Sequence, residues 1–140
     1  MKKYKIGYTD GTYDLFHIGH LNMIETAKKY CEYLIVAVHG DKVVQEEKPN
    51  SPIIGEEDRR RIVAAIKGVD QAEITSFRDK RKLWELYHFD VIFIGDDWKG
   101  TERWNRFEKE LKEIGVDVVY VPYTQAISTT EIKNRILKIK

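Results

Sequence analysis

The sequence contains a single cysteine, Cys31, and this excludes two kinds of small protein. One thiol cannot form an intramolecular disulfide, nor a zinc site built on paired cysteines. We expect Cys31 to be a core residue, because it lies where the apolar face of a predicted helix meets a strand. The first eight residues have no apolar run that would serve as a signal peptide, so we expect a cytoplasmic protein.

The sequence also lacks charge imbalance and long hydrophobic runs. Its 24 lysines and arginines nearly balance its 23 aspartates and glutamates, giving a net charge of +1. This balance provides no global attraction to nucleic acid or to a membrane surface, so we expect neither as a partner. The longest apolar runs, such as 33–38, are too short to cross a bilayer. The length of 140 residues predicts a single domain over 1–140.

Segments with strand and helix patterns alternate along the chain. Runs rich in Val, Ile, Tyr and Phe predict strands at 4–9, 33–38, 72–75, 90–94 and 116–121. Apolar residues three and four apart predict helices over 18–31, 104–114 and 132–139, and another over 62–66 after an acidic first turn at 56–58. This alternation predicts an α/β fold, a doubly wound parallel sheet of five strands with helices on both faces. Ligands bind such sheets beyond the carboxyl ends of the strands.

Two histidines, His17 and His20, follow the first predicted strand at the start of a helix. Their spacing of three places both side chains on one face of the first helical turn. The free N–H groups of a helix N-terminus attract phosphate, and imidazoles can donate hydrogen bonds to phosphate oxygens. Gly19 would let this helix lie close to the sheet. The pattern indicates phosphoryl chemistry; a metal site without an obvious third ligand and a pair of structural caps stay open as alternatives.

Hydroxyl side chains open the last predicted helix, at Ser128, Thr129 and Thr130. They can bind further phosphate oxygens at that helix N-terminus. Ser128 and Glu131 also have the spacing of a capping box, which would give the serine a purely structural role.

The run 95–100, Gly-Asp-Asp-Trp-Lys-Gly, follows the fourth predicted strand, and basic residues cluster at 59–61 and 78–82. The Gly-Asp-Asp-Trp run suits either a solvated turn or the recognition of a nucleoside. A helix cannot point three successive residues the same way, so we expect one or two of the basic side chains to reach a site. Lys48 lies in a polar segment, 45–52, which we predict to be a loop of the kind that closes over ligands.

Three of these motifs resemble those of one enzyme family. The run Gly-Thr-Tyr-Asp at 11–14, followed by His-Ile-Gly-His at 17–20, resembles the signature of the HxGH nucleotidyltransferase superfamily. The run 95–100 is similar to the cytidylyltransferase pattern Gly-Asp-Asp-Trp-x-Gly, and 127–130 to the Ile-Ser-Thr-Thr motif of bacterial glycerol-3-phosphate cytidylyltransferases. The likeness covers nearly the whole chain, but Tyr123, Gln125 and Ala126 replace an Arg, a Glu and a Gly of that family.

The resemblance implies a Rossmann-like fold, a homodimer, and direct transfer of CMP from CTP to a small phosphorylated alcohol, with no covalent enzyme intermediate. The expected acceptor is glycerol-3-phosphate, which would give CDP-glycerol, a precursor of cell-surface polymers, and pyrophosphate. The alternatives are a choline- or ethanolamine-phosphate acceptor, adenylyl transfer from ATP, and a nucleotide-binding module without catalysis. Mg²⁺ is implied as a cofactor that the CTP phosphates hold, with no metal ligands from the protein.

The resemblance also assigns roles to individual residues. The expected catalytic residues are His17, His20, Lys48 and Arg59, with Arg59 binding an anion. The residues expected to bind the nucleotide are Thr12, Tyr13, Gly19, Asp97, Trp98, Tyr123, Thr124, Ile127, Ser128 and Thr129. Those expected to contact the acceptor are Asp14, Lys80 and Arg81. At Tyr123, either another cation (Lys48, Arg78 or Lys80) supplies the charge of the missing arginine, or the site has changed its acceptor.

Overall fold

A computed structural model describes residues 2–48, 50–122, 124 and 127–139 of the chain. Within these residues, five parallel strands form one sheet in the order β3-β2-β1-β4-β5. The strands are β1 (Tyr4–Gly11), β2 (Cys31–His39), β3 (Gln71–Thr75), β4 (Val91–Gly95) and β5 (Asp117–Val121). All five were predicted from the sequence.

The described residues also form six helices, of which the sequence predicted four. They are α1 (Ile18–Tyr30), α2 (Asp41–Glu47), α3 (Glu56–Ala64), α4 (Lys80–Tyr87), α5 (Glu102–Glu113) and α6 (Thr129–Leu137). The prediction of a loop from residue 45 was wrong, because α2 continues to Glu47. No helix was predicted at the second basic run, whereas α4 begins within it and buries Leu83. Among the described residues, no helix is long and apolar enough to span a membrane.

Two hydrophobic clusters cover opposite faces of the sheet, because successive side chains of a strand point to opposite sides. From β2, Leu34, Val36 and Val38 belong to the cluster that includes buried residues of α1 and α3. Ile35 and Ala37, from the same strand, belong to the cluster that includes buried residues of α4 and α5. The helices therefore pack on both faces, which confirms the predicted doubly wound α/β sheet. Cys31 is fully buried in the first of these clusters.

The central strand, β1, lies at the point where the strand order reverses. The chain passes from β1 to β2 and β3 on one side, and β4 and β5 then add on the other side. Gly7 of β1 thus pairs with Leu34 on one edge and with Val91 on the other. The connections after β1 and β4 leave the sheet in different directions, and this creates a crevice at the carboxyl ends of the two strands.

Candidate active site

A cleft of about 380 Å³, here called the first cleft, opens at the carboxyl ends of β1 and β4. It lies between the turn that follows β1, the short 3₁₀ turn Asp96–Trp98 that follows β4, and the N-terminus of α6. The predicted site residues that line it are Thr12, Tyr13, Asp14, His17, Gly19, His20, Lys48, Asp97, Trp98, Thr124, Ile127, Ser128 and Thr129. Tyr123, Gln125 and Ala126 lie outside the described residues.

The two histidines cap α1 and line the first cleft at the same time. Nδ1 of His17 accepts a hydrogen bond from the Gly19 N–H at 3.0 Å, and Nδ1 of His20 accepts one from the His17 N–H at 3.2 Å. These reciprocal bonds form a capping box, and the two rings stack with their centroids 3.8 Å apart. A neutral imidazole that accepts at Nδ1 carries its proton on Nε2. The cap therefore fixes the tautomer and leaves each Nε2–H free to donate.

A glycine is needed at position 19 because any side chain there would clash with the ring of His17. The predicted reason, close packing of the helix on the sheet, is therefore not the one that the structure shows. A Cβ atom on Gly19 would lie 2.8 Å from Cε1 and 3.0 Å from Nδ1 of His17. Any other residue would push this ring away from the Gly19 N–H that it accepts from. The glycine of the motif therefore preserves the orientation of a histidine.

Both imidazoles lie in surroundings that disfavour their charged forms. Burial lowers the pKa of His17, and burial together with the neighbouring His17 lowers the pKa of His20 to about 3. At neutral pH His20 therefore presents a neutral N–H donor. Such donors stabilise a phosphate oxygen through hydrogen bonds that are oriented before the substrate arrives.

We expect the stability of the protein to fall as the pH drops from about 6.5 to 5. An unfolded chain protonates His20 below its ordinary pKa of about 6.5, whereas the folded chain does not, so unfolding takes up a proton in this range. The share of His20 is up to about 2 kcal/mol at pH 5. The free energy of unfolding, measured with urea at both pH values, should change less between them for His20→Gln than for the wild type. An identical pH dependence in the variant would contradict this account of His20.

Asp14 connects three segments around the first cleft. Its carboxylate oxygens accept hydrogen bonds from the N–H groups of Ile53 (2.8 Å) and Ile54 (2.9 Å), and its carbonyl oxygen accepts one from the Thr129 hydroxyl (2.7 Å). Only 3% of the residue is exposed. These contacts support an orienting role for Asp14, and they leave the predicted acceptor contact without support.

Ser128 caps α6, and its hydroxyl group can still donate a hydrogen bond. Its Oγ accepts from the Glu131 N–H at 3.0 Å, so the hydroxyl hydrogen remains available to a ligand in the cleft. The Glu131 carboxylate accepts from Arg135. Both interpretations of Ser128, as a cap and as a phosphate contact, are therefore compatible with this geometry.

Arg59 does not reach the first cleft, which corrects its predicted role as an anion ligand. Its side chain is fully buried, and the guanidinium donates to three carbonyl oxygens: Ile54 (2.8 Å), Thr12 (2.6 Å) and His39 (2.8 Å). It also forms an ion pair with Asp41 at 2.6 Å. Arg59 thus holds the turn after β1, the end of β2 and the segment before α3 together beneath the site.

A second cleft, of about 670 Å³, adjoins the first. The two share six lining residues: Asp10, Gly11, Thr12, Lys48, Ile94 and Trp98. Lys80 lines this second cleft and forms a buried ion pair with Asp10, with Nζ 2.7 Å from Oδ2. Burial by itself would raise the pKa of Asp10, but Lys80 and the nearby His39, whose Nε2 lies 3.4 Å from Oδ1 of Asp10, hold it well below its usual range.

Arg81 was predicted to contact the acceptor together with Lys80, and the structure does not place it there. It is exposed on α4 and lines neither cleft. Successive residues of a helix point about 100° apart, so the turn that directs Lys80 inward directs Arg81 outward.

Three cations that line the clefts were not predicted from the sequence: Lys133, Arg103 and Arg106. Lys133 of α6 lines the first cleft, with Nζ 3.7 Å from Oδ2 of Asp14. It lies four residues after Thr129, on the same face of the helix, and this spacing could have revealed it. Arg103, in the first turn of α5, lines the second cleft. No local pattern distinguishes it from the other charged residues of that helix.

The described residues do not form a coordination site for Mg²⁺. No group of three His, Cys, Asp or Glu side chains gathers among them as a metal site. The carboxylates of Asp10 and Asp14, which line the first cleft, are already engaged by Lys80 and by two backbone N–H groups.

Comparison with known proteins identifies a matching family model and several similar proteins. Residues 8–135 match a family model described as cytidylyltransferase-like. The glycerol-3-phosphate cytidylyltransferase of Bacillus subtilis is 35% identical, over 91% of this chain and 94% of its own length. An FAD synthase from Ferroglobus placidus is 41% identical, over 79% of this chain and 72% of its own length.

The bifunctional protein HldE of Koribacter versatilis is 36% identical over 91% of this chain, and the match spans only 26% of that longer protein. Among solved structures, a lipopolysaccharide core biosynthesis protein from Thermoplasma volcanium has the same fold. Its TM-score is 0.73 at 24% identity, over 89% of this chain and 99% of its own. With its sheet, its histidine turn and a family match over most of its length, this chain belongs to the cytidylyltransferase-like family.

Proposed function

We propose that the chain transfers CMP from CTP to a small phosphorylated alcohol, with glycerol-3-phosphate as the preferred acceptor and CDP-glycerol and pyrophosphate as products. The observation that carries this proposal is the first cleft, which brings two oriented imidazole donors and the N-terminus of α6 together at the point where the strand order reverses. The similarity to the glycerol-3-phosphate cytidylyltransferase of B. subtilis, over nearly its whole length, supports the choice of CTP and of the acceptor.

In the proposed reaction, a phosphate oxygen of the acceptor attacks the α-phosphorus of CTP. A new P–O bond forms, the bond from the α-phosphorus to the bridging oxygen of the β-phosphate breaks, and pyrophosphate leaves. The attacking oxygen is already an anion, so the reaction needs no general base. The Nε2–H groups of His17 and His20 hydrogen-bond the oxygens on which charge develops, and both rings stay neutral.

The charge of the triphosphate needs further partners. The N-terminus of α6, with Ser128 and the backbone N–H of Thr129, suits the β- and γ-phosphates. Lys48 and Lys133 line the first cleft and supply positive charge there. Lys48 also lines the second cleft, so it stands at the boundary where the acceptor would approach the α-phosphorus. This arrangement favours the first explanation for Tyr123, that other cations supply the charge of the missing arginine.

Mg²⁺ would enter with CTP, held by the phosphates, and would reduce the charge of pyrophosphate as it leaves. We also propose a cytoplasmic homodimer. Sedimentation of the purified chain measures its oligomeric state directly.

A second candidate function is adenylyl transfer from ATP. It is favoured by the relative named FAD synthase, because FAD contains an adenylyl group. The exposed turn at Asp97 and Trp98, which lines the first cleft, is the feature that favours cytosine, by its resemblance to the cytidylyltransferase pattern.

We expect CTP to be preferred over ATP by at least about tenfold in kcat/KM, because pockets that hydrogen-bond a base discriminate strongly between bases. The measurement is pyrophosphate release with each nucleotide, with glycerol-3-phosphate, phosphocholine, phosphoethanolamine and flavin mononucleotide as acceptors. Equal or better use of ATP would overturn the cytidylyl assignment. If glycerol-3-phosphate is inert while another phosphoalcohol reacts, the acceptor is wrong and the reaction class stands.

A further inference from the structure

Glu47, the last residue of α2, places its carboxylate between two arginines of the second cleft. Its Oε1 lies 3.1 Å from Nε of Arg78 and 3.1 Å from Nη1 of Arg103. The two arginines come from different elements, the turn before α4 and the first turn of α5. An oxygen anion held between two guanidinium groups is the arrangement that proteins use to bind phosphate.

Arg78 is only partly satisfied by this contact. Its Nη2 donates to the carbonyl oxygen of Val43 at 3.2 Å, and its Nη1 lies 3.4 Å from Nδ1 of His39. Its Nε is buried and, despite the short distance to Glu47, makes no hydrogen bond of acceptable geometry with any described residue. A buried N–H donor without an acceptor is costly, so a better-placed oxygen would be favoured there.

The other carboxylates of the second cleft do not neutralise these arginines. Asp10 forms its ion pair with Lys80, and the carboxylate of Asp79 caps α4. Glu110 also lines this cleft, but it forms no ion pair with Arg78 or Arg103. Glu47 is therefore the carboxylate that occupies the space between Arg78 and Arg103. The side chains are 35% exposed for Glu47, 26% for Arg78 and 44% for Arg103, and ion pairs this open to water are weak.

We propose that Arg78 and Arg103 form the binding site for the acceptor's phosphate, and that Glu47 occupies this site until the phosphate displaces its carboxylate. This inference rests on the proposed function for the identity of the acceptor, a phosphomonoester. A phosphate dianion offers three oxygens to the two guanidinium groups, whereas Glu47 offers both of them the same Oε1. Glu47 thus sets the affinity for the acceptor by competing with it.

The test is the binding of inorganic phosphate, measured by calorimetry, to the wild type and to Glu47→Gln. The amide keeps the shape of the side chain and removes its charge. We expect phosphate to bind about three- to tenfold more tightly to the variant, because a site occupied by an internal anion shows a reduced apparent affinity. Glu57→Gln is the matched control, since Glu57 also forms an ion pair with an arginine, Arg60, but lines neither cleft. It should leave phosphate binding unchanged.

Adding Arg103→Gln to Glu47→Gln should abolish the gain, and Arg103→Gln alone should weaken phosphate binding. This locates the effect in the second cleft, because Arg103 does not line the first. Unchanged or weaker phosphate binding by a folded Glu47→Gln would overturn the proposal, as would unchanged binding by Arg103→Gln. In kinetics, Glu47→Gln should lower the KM for the acceptor, with the KM for CTP as reference. If no acceptor reacts with CTP, the proposed function fails, whereas the calorimetric comparison still decides the role of Glu47.

Discussion

His17→Asn should lower the turnover number by about two powers of ten or more, while α1 keeps its N-terminal cap. Asparagine is among the best N-cap residues, so its side-chain oxygen can replace Nδ1 of His17 as the acceptor for the Gly19 N–H. Its side chain is shorter than the imidazole, so its amide N–H does not reach the position of the Nε2–H that His17 presents to the first cleft. The measurement is pyrophosphate release at saturating CTP and acceptor, together with thermal unfolding.

The matched variant is His20→Gln. Glutamine at the third position of a helix completes a capping box, so this change also keeps the local structure. With its oxygen bound to the cap, its amide donor is displaced from the position of the ring Nε2–H. We expect a loss of turnover of the same order, with Tm within a few degrees of the wild type. Unchanged turnover in either variant would exclude that imidazole from the mechanism. A loss of turnover that only accompanies unfolding would show that the histidines act as caps alone.

Arg59→Met should lower the free energy of unfolding by about 3–5 kcal/mol, because each buried acceptor left without its donor costs about 1–3 kcal/mol. The change leaves the carbonyl oxygens of Thr12, Ile54 and His39 without their donor and removes the partner of Asp41. Urea unfolding at neutral pH gives the measurement.

Arg61→Met is the control for Arg59. Arg61 lies on the same helix and is exposed, so its replacement should change the stability by less than about 0.5 kcal/mol. If Arg59→Met kept its stability and instead raised the KM for CTP, Arg59 would be the anion ligand that the sequence predicted.

The strands were predictable because each is an apolar run buried on both faces of the sheet, and this signal is strong and local. The two missed helices carry a weak signal. In α2, the buried Val43 and Val44 are adjacent, so seven residues show no helical period. In α4 the signal consists of Asp79, an N-cap residue, followed by Leu83 and Tyr87 at helical spacing among mostly charged neighbours.

In the site, too, residues that belong to continuous motifs could be predicted, whereas residues whose roles depend on contacts with distant segments could not. The histidine turn and the hydroxyls of α6 are continuous motifs, so the sequence reveals them directly. The burial of Arg59 depends on carbonyl oxygens contributed by other segments, including Thr12, which lies 47 residues away. The contact of Glu47 with Arg103 likewise exists only because α2 and α5 meet at the second cleft. No pattern within a single element carries such information.

The position of β1 between β2 and β4 also determines the order in which the protein can assemble during translation. β1 leaves the ribosome before the other four strands, and β2 can pair with one edge of β1 as soon as β2 has been synthesised. The partner of the other edge of β1 is β4, which is synthesised about 80 residues later. At roughly 5–20 residues per second, this edge stays open for several seconds. An unpaired edge of an apolar strand can join another chain, so crowded nascent chains are at risk of aggregation in this interval. In the proposed mechanism, nucleotide binding also requires α6, which follows all five strands in the chain.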